Sequence, residues 1–163
     1  MDGDKFINPD SQALYADFYN GMLGTDLTWE EIFARTDRDI NLQRVMNVMA
    51  YGAETGAQDW IPDRAIGPTD DALYEAEGDF LDAELARLPG QSPERIREMS
   101  TADKRALLMQ TRKEQLRELI RVYYRTRGWT AAGIPTVQTL KDLGLWAFLT
   151  EDARTTLASL AAG

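Results

Sequence analysis

The chain has 163 residues, a length that allows one domain with a hydrophobic core of its own. Its formal net charge is −9, which argues against general nucleic-acid binding because that function needs a basic surface. The sequence contains no cysteine and no histidine. Disulfides, thiolate nucleophiles, common zinc sites and Ser-His-Asp triads are therefore excluded, and any chemistry of this chain alone uses carboxylates, Lys, Arg, Tyr or Ser/Thr.

The sequence also argues against a membrane location. No apolar run approaches the roughly 18 residues that a membrane-spanning helix needs. The first ten residues, MDGDKFINPD, lack the basic and apolar segments of a signal peptide. We therefore expect a cytoplasmic protein whose partners are neither nucleic acid nor membrane.

The first predicted helix lies between Pro9 and Gly24. Ser11 is the expected cap, and Gly24 is expected to end the helix in a left-handed conformation. Apolar residues recur at four-residue steps and predict the buried side of this helix. They are Leu14, Phe18 and Met22.

Two further helical patterns follow. Thr28 and Glu31 form a capping box that predicts the start of a short helix. The segment RDINLQRVMNVMAYG, residues 38–52, is the most regular pattern in the chain and predicts another helix that ends at Gly52. Its predicted core face consists of Leu42, Val45, Met46 and Met49.

Prolines divide the middle of the chain. Residues 59–68, DWIPDRAIGP, predict an irregular connector, because prolines disfavour regular helix. A helix is expected over residues 69–88 although Gly78 weakens it, and Ser92 is expected to cap a short helix that begins at Pro93. The apolar side of the 69–88 helix is predicted to consist of Phe80, Leu81, Leu85 and Leu88.

The last third of the chain predicts one long helix and two short ones. The long helix spans about residues 102–126. Thr136 is expected to cap a helix that ends at Gly144, and residues 151–160 predict a final helix. The predicted core face of the long helix consists of Leu116, Leu119, Ile120 and Tyr123.

No alternating run of β-branched residues and no hairpin signal occurs in the sequence. The predicted fold class is therefore all-α: an irregular helical bundle of about five to seven helices without a sheet. We expect a single domain over residues 1–163.

Charged residues in regular patterns are candidates for a binding site. Four bases occur at four-residue steps on the long helix: Lys113, Arg117, Arg121 and Arg125. They could bind an anionic partner, but the preferred interpretation is a solvated face or one paired with the acidic segment 69–88.

Adjacent carboxylates occur at Glu30–Glu31 and Asp70–Asp71, where helix capping explains them better than catalysis. A carboxylate-based hydrolase is therefore disfavoured.

The stretch YYRTRGWTAAGIPTVQTLKDLGLW, residues 123–146, predicts a joint between helices rather than a reactive site. Gly128 is expected to adopt the left-handed conformation that ends a helix, and Trp129 is expected to fold back as an apolar plug. Arg127 is the one candidate functional residue here, since at a helix end it could bind backbone carbonyls or an outside anion.

Three segments occur in a characteristic order: residues 38–52, DWIPDRA at residues 59–65, and residues 123–145. Their most specific members, which we call the signature residues, are Arg38, Asn41, Arg44, Asn47, Asp59, Pro62, Arg64, Tyr123, Tyr124, Arg127, Gly128, Trp129 and Pro135. Together these segments resemble the C-terminal end of the aldehyde ferredoxin oxidoreductase family, the tungstopterin iron–sulfur enzymes. The resemblance implies that the signature residues are structural or wall the channel for cofactor and substrate.

The resemblance implies a C-terminal domain of a larger oxidoreductase, as part of a longer chain or as a separate subunit. In the parent enzyme, a pterin that carries tungsten or molybdenum and a 4Fe-4S cluster would oxidise an aldehyde to a carboxylic acid and pass electrons to ferredoxin. Because this chain has no Cys or His, we expect no catalytic, cofactor-binding or metal-binding residue in it and no activity when it is isolated.

The expected partners are the remaining domains or subunits of the oxidoreductase, and a homodimer through the domain surface is a further expectation. The alternative is a stand-alone helical interaction module that kept the fold without the chemistry. A domain that belongs to a larger enzyme should expose an apolar patch, and a module that evolved to stand alone should not.

Overall fold

The computed structural model describes residues 9–161, and these residues are mostly helical. The helices are α1 (Pro9–Leu23), α2 (Trp29–Tyr51), α3 (Asp63–Ile66), α4 (Asp71–Ala76), α5 (Gly78–Leu85), α6 (Pro93–Glu98), α7 (Thr101–Thr126), α8 (Val137–Asp142) and α9 (Glu151–Ala161), with 3₁₀ segments at Gly52–Asp59 and Trp146–Phe148. Within residues 9–161 no strand or sheet occurs, although Trp129 and Pro135 form an isolated bridge. The predicted all-α class is confirmed.

The chain forms two compact units. Unit 1 contains residues 1–55 and 127–163, and unit 2 contains residues 56–126. Unit 1 therefore brings α1 and α2 together with α8 and α9, while α3 to α7 make up unit 2. The expectation of a single domain over residues 1–163 stays a prediction.

Side-chain caps start several of the helices where the sequence predicts them. Thr28 Oγ1 accepts a hydrogen bond from the Glu31 amide at 3.2 Å, and Glu31 Oε2 accepts one from the Thr28 amide at 2.8 Å. This reciprocal pair confirms the capping box and explains one of the adjacent carboxylates. Equivalent caps are made by Asp70, Ser92 and Thr136.

The start of α1 differs from the prediction and its end agrees with it. α1 begins at Pro9, a residue that suits the first turn of a helix, so Ser11 lies inside the helix rather than at its cap. Gly24 has a φ of 64°, and its N–H donates to Asn20 O at 2.8 Å. The Asn20 side chain then holds the loop after α1 by hydrogen bonds to both backbone groups of Leu27.

α2 is one helix of 23 residues, and the predicted boundary between a short helix and the 38–52 helix is wrong. No glycine or proline occurs between Trp29 and Tyr51, so nothing in the backbone interrupts the helix. Its buried residues are Asn41, Arg44, Val45 and Val48.

The predicted core face of α2 is therefore also wrong for three of its residues. Leu42, Met46 and Met49 are exposed, and Met46 keeps 64% of its surface accessible to solvent. Only Val45 belongs to both the predicted and the observed inner face. The buried face is shifted by about one residue, or roughly 100° about the helix axis, so that Asn41, Arg44 and Val48 take the place of Leu42, Met46 and Met49.

The core of unit 1 forms between α2 and the C-terminal helices. Its buried members are Val45, Val48, Ile134, Leu140, Leu145 and Leu157. α8 ends before Gly144 and α9 covers residues 151–161, so both predicted C-terminal helices are confirmed.

The core of unit 2 forms between α7 and the shorter helices before it. Its buried members are Tyr74, Leu81, Leu85, Ile96 and Leu108. The single helix predicted over residues 69–88 is wrong, because Glu77, with φ of −121°, separates α4 from α5 immediately before Gly78. The break allows Tyr74 of α4 and Leu81 of α5 to enter the same core.

Several other predicted core residues lie at the surface. In unit 1, the exposed residues include Leu14, Phe18 and Met22 of α1. In unit 2 they include Phe80, Leu119 and Tyr123, while Leu108 and Tyr124 are the buried residues of α7. On α1 and α7 the apolar periodicity correctly predicts helix but not the face that is buried, whereas on α5 the predicted Leu81 and Leu85 are buried in the core of unit 2.

The connector at residues 59–68 contains more helix than its prolines suggest. Pro62 precedes one turn of helix, α3, and Ile66 at the end of this turn is buried. Proline is compatible with a position just before a helix, because it lacks only an N–H that the helix does not use.

Among the described helices, none combines the length and apolar character needed to cross a membrane.

Candidate functional site

The segment after α7 forms the predicted joint in unit 1. Gly128 has a φ of 68°, which confirms the left-handed conformation. Its carbonyl accepts hydrogen bonds from the Thr136 amide at 3.2 Å and from Thr139 Oγ1 at 2.7 Å. A Cβ atom at Gly128 would collide with Thr139 Oγ1. Both the backbone conformation and the space therefore require glycine here.

Trp129 is buried, as predicted, and is held by two signature residues of α2. Its indole Nε1 donates to Asn41 Oδ1 at 2.8 Å. The Arg44 guanidinium lies over the indole ring, 4.6 Å from the ring centroid, and Arg44 Nε donates to Gly133 O at 2.6 Å. Asn41 and Arg44 are only 2% and 4% exposed. Their burial is compatible with stability because these polar groups have partners within the joint.

A second interaction within unit 1 ties Arg127, which follows α7, to α2. The Arg127 guanidinium forms an ion pair with the Asp37 carboxylate. Asn41 Nδ2 donates to the Asp37 carbonyl at 2.9 Å, so the same turn of α2 contacts both Arg127 and Trp129. The sequence leaves open that Arg127 binds an outside anion. In the structure its guanidinium pairs with an acidic side chain of the same unit instead.

Two signature residues of unit 2, Asp59 and Tyr124, contact each other. The Tyr124 hydroxyl donates to the Asp59 carboxylate. The Arg117 guanidinium lies 5.3 Å from the ring centroid of Trp60 in the connector. These contacts attach the connector to α7 within unit 2.

The remaining signature residues are not all brought together. Pro135 is buried and forms the bridge with Trp129. Arg38 is exposed and lines a cleft of about 300 Å³ with Arg35, Glu31 and Asp142 in unit 1. Further exposed signature residues are Asn47, Pro62, Arg64 and Tyr123.

The four bases at residues 113–125 of α7 agree with one of the two interpretations considered, because Arg121 and Arg125 lie on a solvated face. Lys113 Nζ lies 2.7 Å from Asp63 Oδ2 in α3. Arg121 and Arg125 lie 3.6 Å and 3.8 Å from Glu118 on the same helix, and all three side chains are exposed. Exposed pairs of this kind contribute little to stability. The acidic segment 69–88 is therefore not the partner of this basic face.

The acidic segment instead pairs with the N-terminal half of α7. Arg112 binds Glu84 through two hydrogen bonds, of 2.9 Å and 2.6 Å, and Arg112 Nη1 also donates to Ile66 O at 2.9 Å. The hydrogen bonds from Arg112 hold the pKa of the Glu84 carboxyl below its ordinary value. The same pair raises the pKa of Arg112. A two-pronged contact of this type fixes orientation as well as charge.

A tyrosine–aspartate–lysine chain lies beside that pair. The Tyr74 hydroxyl donates to Asp82 Oδ1 at 2.8 Å, and Lys104 Nζ donates to Asp82 Oδ2 at 2.7 Å. Burial, with the hydrogen bond to Asp82, raises the pKa of Tyr74. The sequence shows that segment 69–88 is acidic and that α7 is basic. Which side chains pair depends on the turn at Glu77, which separates α4 from α5.

Sequence reasoning missed an apolar groove between α1 and α2 in unit 1. It has a volume of about 700 Å³. It is lined by Ser11, Leu14, Tyr15, Phe18, Tyr19, Met22, Trp29, Ile32 and Thr36. The sequence assigns part of this surface to the core, because periodicity alone cannot distinguish a buried apolar face from an exposed one.

Comparison with protein families identifies one match. The family described as aldehyde ferredoxin oxidoreductase, domains 2 & 3, matches residues 4–145. Comparison with curated proteins and with solved structures gives no significant match. The matched range includes all signature residues and extends through both compact units.

Proposed function

This chain belongs to the aldehyde ferredoxin oxidoreductase family, and we propose that it forms the helical part of such an enzyme that walls the channel for cofactor and substrate. In the whole enzyme, a tungstopterin and a 4Fe-4S cluster would oxidise an aldehyde to a carboxylic acid and transfer the electrons to ferredoxin. The chain itself has a structural role and carries no reacting group. It works in the cytoplasm beside the remaining domains or subunits, and it is inactive when isolated.

The observation that carries this proposal is the joint in unit 1. Asn41 and Arg44 on α2 contact Trp129 and Gly133, which are 88 and 89 residues away in the chain. Signature residues from two distant segments thus meet in one buried cluster. Such contacts favour a shared tertiary structure as the basis of the family match over a chance likeness of helical composition.

The polar groups of the joint bind one another, which supports a structural role for them. Trp129 binds Asn41, Arg44 binds Gly133, and Arg127 binds Asp37. None of these contacts places a nucleophile beside a general base, the arrangement that nucleophilic catalysis requires. The proposed contribution of these residues is to hold the loop that follows α7 in place on α2 within unit 1.

The residues of this chain do not fit the iron–sulfur cluster that the family implies. Such clusters are held by cysteine thiolates, and the chain contains no cysteine. Among residues 9–161, no three or more Asp, Glu, His or Cys side chains gather where they could hold a metal ion. We assign both the cluster and the pterin to other parts of the enzyme, and no redox step to this chain.

The mass and metal content of the native protein test the proposal. Peptides from residues 123–145 should be recovered from source cells in a polypeptide or stable complex that contains tungsten and iron. That assembly should oxidise aldehydes with ferredoxin as electron acceptor. Recovery only as a separate 18.4 kDa chain, without either metal and without an oxidoreductase partner, would contradict it.

The isolated chain provides an independent test of its own inactivity. Purified without partners, it should neither oxidise aldehydes nor carry tungsten in stoichiometric amount. Aldehyde oxidation by the purified chain would show that the scaffold role is wrong, because the reacting groups would then lie within these 163 residues.

The second candidate is a stand-alone interaction module. The exposed apolar residues of α1 and α2 favour the first candidate, since a module that evolved to stand alone should not expose a large apolar patch. A surface of this kind fits a domain that belongs to a larger assembly. Recovery as a separate chain bound to a protein without oxidoreductase cofactors would support the module instead.

A further inference from the structure

The groove between α1 and α2 has the shape and composition of a site for a helix. Leu14, Phe18 and Met22 form a row along α1 at four-residue steps. Trp29 and Ile32 of α2 contribute to the opposite wall. α1 has 15 residues, and at about 1.5 Å per residue the row from Leu14 to Met22 extends for roughly 12 Å. That length suits about two turns of a partner helix that presents apolar residues at i, i+4 and i+7.

The side chains that line the groove remain accessible. Phe18 is 67% exposed and Met22 is 80% exposed. Trp29 lies between Tyr15 and Phe33, with ring centroids 6.3 Å and 5.7 Å apart and the ring planes tilted by 47° and 40°. Large aromatic side chains held in this way are typical of the residues that dominate binding energy at protein interfaces.

The charge around the groove is one-sided. All nine lining residues are uncharged. Asp17, Asp26 and Glu30 are exposed on the helices and loop that form the groove, and no Lys or Arg occurs between residues 9 and 34. The next bases in the chain, Arg35 and Arg38, line a different cleft on α2. The groove is therefore apolar, and the segment of residues 9–34 that forms most of it carries a local excess of negative charge.

We propose that this groove binds an amphipathic helix of a partner protein that carries an apolar stripe flanked by Lys and Arg. The apolar stripe would contact Phe18, Met22 and Trp29, and the flanking bases would lie near the acidic side chains. Complementary charge of this kind steers association and disfavours partners with acidic flanks. The inference concerns unit 1 alone and does not depend on the cofactor chemistry proposed above.

Three synthetic helical peptides of about 15 residues, matched to the length of α1, provide the test. All three carry the same Leu stripe, and their flanking positions carry Lys, Gln or Glu. Binding to the full chain is measured by fluorescence anisotropy at about 0.1 M and about 1 M salt, where the screening length falls from ~10 Å to ~3 Å. The Lys peptide should bind about tenfold tighter than the Glu peptide, and the difference should shrink at high salt.

A matched pair of variants locates the binding site. Phe18→Ser removes an exposed ring from the groove, whereas Phe80→Ser removes a ring of nearly equal exposure, 68%, from α5 in unit 2. Phe18→Ser should weaken binding of the Lys peptide about fivefold or more, and Phe80→Ser should leave it unchanged. Because both side chains are exposed, neither change should unfold the protein, which circular dichroism verifies.

Several outcomes would overturn the proposal. They are equal binding of the Lys and Glu peptides, binding of none of the peptides, or binding that Phe18→Ser does not weaken. A dimer of the chain that Phe18→Ser dissociates and Phe80→Ser does not would assign the groove to a second copy instead. Sedimentation with phosphatidylserine vesicles that is lost in Phe18→Ser would assign it to a lipid surface.

Discussion

Asn41 on α2 accepts the indole hydrogen bond of Trp129, 88 residues later in the chain, at 2.8 Å. This contact explains why α2 buries Asn41 where its apolar periodicity predicts the neighbouring Leu42. A buried indole N–H needs an acceptor, and an amide oxygen on the facing helix supplies it. The contact also links the two signature segments of unit 1, so it is the first place to test the scaffold role.

Replacement of Asn41 by Leu should destabilise unit 1. The change keeps a similar volume but removes the acceptor from Trp129, and it should lower the free energy of unfolding by about 1–3 kcal/mol. Urea denaturation followed by circular dichroism measures the loss. In a Trp129→Phe background, where no indole N–H remains, the same Asn41→Leu change should cost less. Equal costs in the two backgrounds would mean that the hydrogen bond contributes nothing to stability.

Gly128→Ala should destabilise the protein more than Gly24→Ala. Both glycines have positive φ, 68° and 64°, so each alanine incurs backbone strain of about 1–2 kcal/mol. Only at Gly128 does the new Cβ also collide with Thr139, because the space around Gly24 is open. The difference in thermal midpoint between the two variants measures the collision. If Gly24→Ala is as harmful as Gly128→Ala, backbone conformation alone explains the glycine in the joint.

The rotation of α2 can be tested by truncation of two neighbouring side chains. Val48→Ala should lower the free energy of unfolding by about 2 kcal/mol, since Val48 is completely buried in the core of unit 1. Met46→Ala should change it by less than about 0.5 kcal/mol, because Met46 is exposed. Chemical denaturation of the two variants distinguishes the observed inner face from the one that periodicity predicts. A larger loss at Met46 than at Val48 would contradict the structure.

The Glu84–Arg112 pair should make stability depend on pH on the acid side. The pKa of Glu84 is lowered in the folded state by its hydrogen bonds to Arg112. Its contribution is therefore fully present above the ordinary value of 4.5 and is lost as the pH falls through the lowered pKa. Glu84→Gln should reduce the thermal midpoint at neutral pH and have a smaller effect below the folded pKa.

Thermal unfolding of the wild type, Glu84→Gln and Glu98→Gln over a range of pH checks this expectation. Glu98 lies in the same unit and is exposed, so its replacement is the matched control. The gap between wild type and Glu84→Gln should narrow as the pH falls. A gap that stays constant with pH would show that the carboxylate charge is not what stabilises the pair.

Local sequence determined the helices and most of their ends. Thr28, Asp70, Ser92 and Thr136 cap helices where their side-chain chemistry predicts it. Gly24 and Gly128 adopt the left-handed conformation that glycine favours. These features depend on atoms within a few residues of each other, so the sequence contains all the information they require. The absence of Cys and His likewise limits the chemistry of this chain whatever its fold.

Tertiary structure decided which helical faces are buried. Asn41 and Arg44 lie inside unit 1 because Trp129 and Gly133 provide partners far along the chain. Met46, Phe18 and Met22 remain outside, although periodicity predicts them in the core. An apolar stripe indicates only that one side of a helix avoids water. Whether that side meets the protein's own core or is left as a groove depends on contacts between distant segments, which no local pattern encodes.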